Sequence, residues 1–162
     1  MNARAQTVLH INTVRKFLQR VRDAIMSRES GHDASKLISP EVEVFDVYTE
    51  KLKGMTYGSD EYKQCLAEMK PALDHHYAEN RHHPEFFDAG VEGMNLIDLI
   101  ELLADWKSAS LRHDDGDILK SIEINTKRFN IPPALANVLR QTVLDLGWET
   151  NDECDEESSG SC

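Results

Sequence analysis

The segment from Asn95 to Leu111 is the most apolar stretch of the chain and constrains the fold more than any other feature. Its aliphatic residues cover much of a helix circumference; they are Leu96, Ile97, Leu99, Ile100, Leu102 and Leu103. Such a pattern is typical of a central helix that other helices surround. Because the sequence shows neither strand-like alternation nor internal repeats, it predicts an all-α fold, a single-domain bundle of about six helices.

Five further helices are predicted around this segment. Their expected bounds are Ala3 to about Ser27, Ser39 to about Lys53, Ser59 through Leu73 and beyond, Ile118 to about Phe129, and Pro132 to Leu146. Ser39 followed by Pro40 is expected to cap the second of these helices, Ser59 to cap the third, and Pro71 to kink the third. The first helix carries an apolar stripe that we expect to face inward, with His10 on it; the stripe comprises Val14, Phe17, Leu18, Val21 and Ile25.

The 162 residues amount to one domain, and their charge excludes some classes of partner. No run approaches the ~18 apolar residues that a membrane span requires, and no export signal is visible, so we expect a cytoplasmic protein without membrane insertion. Eighteen Lys and Arg against 29 Asp and Glu give a net charge of −11. This charge repels nucleic-acid backbones and argues against non-specific nucleic-acid binding. Nothing in the sequence indicates an oligomeric state.

The segment 149–162 differs in composition from the rest of the chain. It holds six acidic residues and no basic one, which is typical of a disordered tail. We therefore expect the folded domain to span residues 1–148. The three cysteines, Cys65, Cys154 and Cys162, form no CxxC pair, so a thiol-based metal site is not expected.

Histidines are concentrated near two aspartates, Asp33 and Asp105. Six of the seven fall on predicted helix faces or junctions; they are His10, His32, His75, His76, His82 and His83. The seventh lies in LRHDDGD, where turn formation explains the composition. Asp105 lies in LLADW, where burial of its charge would cost several kcal/mol without a cation or hydrogen-bond donors. A bound metal ion is the simplest compensation.

These residues resemble the histidine-aspartate (HD) domain superfamily of metal-dependent phosphohydrolases, whose helical bundle carries a His, then a His-Asp pair, then a later Asp. The matching residues here are His10, His32, Asp33 and Asp105. The block HDASK is similar to the superfamily's His-Asp-x-x-Lys, in which the lysine, here Lys36, meets the substrate phosphate. From HDASKL through HHYAENRHHPEFF to LLADW, the sequence is similar to a short branch found in bacteria and their phages.

In branches with two metal ions, further histidines complete the second site, and HHYAENRHHPE occupies that place. Helical phase favours His76 over His75, because the apolar stripe of the preceding helix leads to His76. Pro84 disturbs this phase at the end of the block, so His82 and His83 are nearly interchangeable. We take His83 as the ligand, and His82 as a substrate contact or substitute ligand.

The resemblance implies a hydrolase that acts on a nucleotide or another small phosphate ester through a metal-activated water. The implied metal ligands are His10, His32, Asp33, His76, His83 and Asp105. Asp33 and Lys36 are the expected catalytic residues, and Lys36, Asn80, Arg81 and His82 the expected substrate contacts. An imidazole-rich set favours Fe, Mn, Co, Ni or Zn over Mg or Ca. Two such ions, two aspartates and Lys36 leave a local charge of about +3, which attracts an anion.

Two other functions stay open. Some HD-like proteins are similar in ligand set but carry a di-iron centre that activates oxygen and cleaves a C–C or C–P bond. A non-catalytic binding protein would need no metal. The roles of Glu41 and Glu43 are also open, since these acids either support metal ligands or follow the helix dipole at a helix start.

Overall fold

The computed structural model describes residues 2–53, 55, 59–112 and 116–150. Over these residues it has six α-helices, three short 3-10 turns and no strand. The helices are α1 (Ala3–Gly31), α2 (Val42–Lys53), α3 (Asp60–Glu79), α4 (Leu96–Ser110), α5 (Ile118–Arg128) and α6 (Pro133–Asp145). The turns span Ala34–Leu37, Pro84–Phe86 and Gly90–Gly93. The predicted all-α bundle is confirmed.

The central helix is α4, as its sequence predicts. Its residues Leu99, Leu102 and Leu103 pack with α5 and α6 into one apolar core. The core also contains Val91, Trp106, Ile118, Ile122, Ile131, Ala136, Leu139 and Val143. Trp106 stacks on Phe129 with ring centroids 6.4 Å apart. Each fully buried aliphatic side chain contributes roughly 1.5–3 kcal/mol, so this core fixes α4 as the scaffold for its other face.

Several helix starts follow capping signals in the sequence. The side chain of Asn95 accepts a hydrogen bond from the backbone N–H of Asp98, and Asp98 accepts one from the backbone of Asn95. This reciprocal pair satisfies N–H groups that the first turn of a helix leaves free. Ser59 caps α3 as predicted, since its Oγ accepts from the Tyr62 N–H. The helix then continues through Pro71 to Glu79.

The expected cap at Ser39 is wrong. Pro40 lies in a turn, and α2 begins only at Val42. Glu41, between them, is fully buried. The chain therefore turns inward before α2 and carries the Glu41 carboxylate into the interior. A helix that began at Ser39 would have left this carboxylate exposed.

The longest helix, α1, is largely uncovered. Its C-terminal end packs against α4, where Ile25 and Arg28 are half-buried. Every residue of α1 is described, and none of them is buried. On the predicted stripe, Phe17 and Leu18 are 59% and 61% exposed. The expectation that this stripe faces the core is therefore wrong, because the described part of the bundle does not extend that far along α1.

The remaining helices bring four parts of the chain to one place. α2 packs on α3, and the turn Ala34–Leu37 contacts both of these helices. The end of α1, the start of α2, the end of α3 and one face of α4 thus meet beside the core.

Two further predictions concern a disordered C-terminal tail and the absence of a membrane-spanning helix. The tail is described only at residues 149 and 150, so the predicted disorder of 151–162 concerns residues outside the described ranges. None of the helices that the structure describes is both long enough and apolar enough to cross a membrane.

Candidate metal centre

Histidine and aspartate side chains converge where these four parts of the chain meet. One group comprises Asp33, His76, His82 and His83, and a second comprises His32, His82 and Asp105. Within each group, the candidate ligand atoms all lie within 4.8 Å of one another. His82 belongs to both groups, so the six residues form one continuous set, which we call the His/Asp cluster.

The backbone at Asp33 explains how the His-Asp pair enters the cluster. His32 follows the last residue of α1, and Asp33 adopts the left-handed conformation, with φ of 55°. Aspartate tolerates this conformation better than most residues. The reversal ends α1 and leads directly into the 3-10 turn that carries Lys36.

The histidine block changes conformation partway along. His76 lies in the last turn of α3, and the helix ends at Glu79 with Asn80 as its C-cap. His83 has an extended backbone, with φ of −94° and ψ of 129°, as expected for a residue before proline. Helical phase therefore places His76 correctly but says nothing about His82 and His83, and both of these enter the cluster.

The donor atoms of the first group are spaced like ligands of a single ion. Nε2 of His76 lies 2.9 Å from Nε2 of His83 and 3.3 Å from Oδ1 of Asp33. Nε2 of His82 lies 3.4 Å from the same oxygen. Ligands that are bound about 2.0–2.1 Å from one ion are themselves about 2.8–3.4 Å apart in octahedral or tetrahedral coordination. The observed separations lie in this range.

Buried polar atoms without partners point to the same conclusion. Oδ1 of Asp33 and both ring nitrogens of His82 are buried and make no hydrogen bond to any described residue. Their approaches to each other and to Glu101 are at ion-pair distance but lack the alignment of hydrogen bonds. Native proteins rarely leave buried polar atoms unsatisfied. The donor atoms of the His/Asp cluster are therefore suited to bind a cation.

The second group is more open. Nε2 of His32 lies 3.8 Å from Oδ1 of Asp105 and 3.9 Å from Oδ2 of Asp33. The rings of His32 and His82 are 4.4 Å apart between centroids. The side chain of Asp105 is 23% exposed, so the burial expected from its sequence neighbours is wrong. The leucines beside Asp105 in sequence turn to the core, whereas its carboxylate contacts His32.

A carboxylate that sequence reasoning missed holds two of these histidines. Oε1 of Glu101 lies 3.0 Å from Nδ1 of His32 and 3.2 Å from Nδ1 of His82. Glu101 also pairs with Arg28, at 3.4 Å. A histidine whose Nδ1 faces a carboxylate keeps the Nε2 lone pair for a metal ion. Glu101 is thus placed to orient both His32 and His82 as metal ligands.

Glu41 plays the corresponding part for His76. Its Oε2 lies 2.9 Å from Nδ1 of His76 and accepts a hydrogen bond from Ser35, at 3.0 Å. Its Oε1 lies 2.7 Å from Nδ1 of His75. Of the two roles left open for Glu41, the structure supports the one that holds ligands, whereas Glu43 is exposed.

The sequence contained a signal for Glu101. Asp98, Glu101 and Asp105 follow one another at steps of three and four, which places three acids on one face of an otherwise apolar helix. In the structure this face of α4 meets the end of α1. No comparable signal marked Glu41, because its burial depends on the turn before α2.

Charges within the cluster shift the pKa values of its members. Burial alone would raise the pKa of Asp33, but His76, His82 and Lys36 outweigh burial and hold it well below the ordinary range. Burial would lower the pKa of His82, yet the carboxylates of Asp33 and Glu101 raise it to about 9. Burial, together with the nearby His82 and His76, lowers the pKa of His83 to about 3. Without a metal, a proton on His82 thus supplies the positive charge between the carboxylates.

These pKa values predict a pH optimum for the stability of the metal-free protein. Unfolded histidine titrates near 6.5. Protonated His82 stabilises the fold fully below pH 6.5, and this contribution is lost as pH rises through 9. Neutral His83 stabilises it fully above pH 6.5, and that contribution is lost as pH falls towards 3. We therefore expect the urea midpoint of the chelator-treated protein to be highest near pH 6.5.

The variant His82→Gln tests the contribution of His82 to the urea midpoint above pH 6.5. The difference in midpoint between wild type and His82→Gln should shrink between pH 6.5 and 9. A constant difference across this range would contradict the assignment of the proton to His82.

The prediction of His10 as a ligand conflicts with the structure. His10 is exposed and lies 22 residues before His32. Because α1 continues without interruption to Gly31, a rise of 1.5 Å per residue separates the two by about 33 Å. The sequence spacing alone did not reveal that one continuous helix fills the interval.

Asn80 and Arg81 are engaged within the protein, contrary to their prediction as substrate contacts. Asn80 is buried and donates to Oγ of Ser35 at 2.8 Å and to the backbone carbonyl of His76 at 2.8 Å. Arg81 binds both carboxylate oxygens of Asp98, at 3.1 and 2.9 Å. Asn80 therefore supports the ligand His76, and Arg81 ties the histidine block to α4. His82, another of the expected contacts, is buried among the candidate ligands.

Comparison with known proteins identifies the family. A family profile described as a family of unknown function, DUF5662, matches residues 1–145. No curated protein and no solved structure matches the chain. Since the matched residues include all helices of the bundle and the whole His/Asp cluster, the chain belongs to the DUF5662 family.

Proposed function

We propose that this protein is a metal-dependent phosphohydrolase of the HD type, acting on a small phosphate ester. One observation carries the proposal: Oδ1 of Asp33, which makes no hydrogen bond to the described residues, lies 3.3 and 3.4 Å from two buried imidazole nitrogens. The His-Asp pair that resembles the HD pattern thus forms the centre of the cluster. Asp105 lies beside this pair, as the pattern requires, whereas the pattern's first histidine, His10, does not reach it.

Two ions would divide the donors of the His/Asp cluster. A neutral imidazole offers one lone pair, so His82 serves a single ion. Asp33, His76 and His83 would hold one ion, and His32, His82 and Asp105 the other. Four imidazoles and two carboxylates favour Fe, Mn, Co, Ni or Zn over Mg or Ca.

When bound, such ions lower the pKa of a coordinated water and neutralise charge on a phosphoryl group. The protein's own residues fix the donors before substrate arrives, because Glu41 and Glu101 hold three of the histidines through Nδ1. Prearranged donors lower the cost of reorganisation during the reaction. Glu41 and Glu101 also reduce the local charge from about +3 to about +1, which still favours an anion.

Lys36 is the basic residue best placed to meet a phosphate. Its Nζ lies 2.6 Å from Oδ2 of Asp33, and its side chain is 32% exposed. It therefore contacts the centre of the cluster while it remains open to an incoming anion. A charge-assisted hydrogen bond from Nζ to a phosphoryl oxygen would orient the substrate.

Replacing Lys36 with alanine should lower kcat/KM and leave the metal bound. Loss of one charge-assisted hydrogen bond, worth about 1.5–3 kcal/mol, predicts a decrease of roughly 10- to 100-fold. Steady-state kinetics and metal analysis on the same sample test this. Lys127→Ala, at the exposed end of α5, is the matched control. Loss of metal from Lys36→Ala would show that the lysine supports the cluster and not the substrate.

The proposed reaction is tested by metal analysis of the purified protein, followed by a panel of nucleotides and small phosphate esters with Mn, Co or Ni. We expect phosphate release that depends on metal, disappears in His32→Ala and persists in His10→Ala, since His10 is exposed and far from the cluster. Oxygen uptake with Fe, without phosphate release, would instead identify an oxygenase. Protein without metal and without turnover would identify a binding protein.

A further inference from the structure

An apolar cavity adjoins the His/Asp cluster. Its volume is about 500 Å³, within the range of small-molecule sites. His32 and Asp105 form part of its wall, so it opens directly onto the second group of candidate ligands. The rest of the wall is mainly apolar, with Ile25, Ile97, Ile100, Ala104, Leu146 and Trp148.

The charges in this cavity do not suit a second phosphate. Among the described residues that line it, Arg28 is the one base. Arg28 already pairs with Asp98 at 2.7 Å and with Glu101 at 3.4 Å. The other charged residues of the wall, Glu29, Glu101 and Asp105, are acidic. A phosphate chain that extended into the cavity would therefore meet net negative charge and apolar surface.

We infer that this cavity binds the apolar part of the substrate, so that the enzyme takes single-phosphate esters of an aromatic or aliphatic group in preference to polyphosphates. The inference rests on the proposed function, because the phosphate would bind at the His/Asp cluster and at Lys36. The indole of Trp148 and the aliphatic side chains of α4 would cover the non-reacting group.

Ala104 offers a direct way to fill the cavity. It lies on the exposed face of α4 and lines the cavity, so a larger side chain there leaves the core unchanged. Ala109, on the same helix, is also exposed but is not part of the wall. The variants Ala104→Phe and Ala109→Phe therefore form a matched pair.

The test compares phenylphosphonate with methylphosphonate, which share the anionic group and differ in the apolar part. Binding to the Zn-loaded protein is measured by calorimetry, with tryptophan emission as a second readout because Trp148 lies in the wall. Wild type and Ala109→Phe should bind phenylphosphonate at least about tenfold more tightly than methylphosphonate, with a change in emission. Ala104→Phe should remove this preference while it retains zinc and methylphosphonate affinity.

The two proposals fail in different ways. Equal affinities for the two phosphonates in wild type, or an undiminished preference in Ala104→Phe, would overturn the role of the cavity while phosphate binding at the cluster stands. Failure of both phosphonates to bind to the zinc-loaded wild type would overturn the proposed phosphohydrolase, and the substrate cavity with it.

Discussion

Replacing Asp33 with asparagine is expected to abolish metal-dependent turnover and to weaken metal binding by more than about 100-fold. Asp33 contacts both groups of the His/Asp cluster, through Oδ1 to His76 and His82 and through Oδ2 to His32. Asparagine keeps the size of the side chain and tolerates the left-handed backbone, so the fold should persist. Metal affinity by calorimetry and turnover on the best substrate of the panel measure the effect.

The control for Asp33→Asn is Asp46→Asn, an exposed aspartate on α2. This variant loses the same charge and should behave as wild type in both assays. Normal activity in Asp33→Asn would refute the assignment of the site, since Asp33 is the carboxylate that contacts His76, His82 and His32.

Replacing Glu101 with glutamine should weaken metal binding by about 10- to 100-fold, the usual effect of removing a carboxylate that orients ligating histidines. Glutamine preserves the shape of the side chain but not the charge that pairs with Nδ1 of His32 and lies 3.2 Å from Nδ1 of His82. Because Glu101 acts through the ligands, kcat at saturating metal should recover largely, whereas the metal concentration for half activity should rise. Metal titrations of activity separate these two quantities.

Glu43→Gln, on the exposed surface of α2, is the comparison for Glu101→Gln and should leave the metal titration unchanged. If kcat of Glu101→Gln stays low at saturating metal, Glu101 takes part in the reaction more directly than through its histidines. If the metal titration of Glu101→Gln matches wild type, Glu101 has no role in positioning.

Local patterns predicted much of the fold. The apolar segment that became α4 and the cap at Ser59 are encoded by neighbouring residues, so a single sequence is enough to predict them. Failures occurred where the structure depends on distant packing. The stripe on α1 has the period of a buried helix, but only its C-terminal end meets α4. The start of α2 was misplaced because Glu41 is drawn inward by His75 and His76.

In the candidate site, too, the sequence predicted some residues and missed those that depend on distant contacts. His32, Asp33, His76, His83 and Asp105 were predicted, and the structure brings all of them into the cluster. The supports Glu41 and Glu101 were not assigned, because their roles arise from contacts with histidines 19 to 69 positions away in the chain. Arg81 looked available for phosphate, and only the fold shows that Asp98 engages it. Pair contacts of this kind leave little trace in one sequence.

X-ray absorption spectroscopy of the metal-loaded protein shows which atoms surround the bound ion. We expect a transition-metal ion with nitrogen and oxygen neighbours at about 2.0–2.2 Å and the outer-shell scattering of several imidazoles. This scattering should decrease in His76→Ala and persist in His10→Ala, because His10 is exposed and far from the cluster. A shell of oxygen alone, or a protein that retains no stoichiometric ion, would contradict the proposed metal centre.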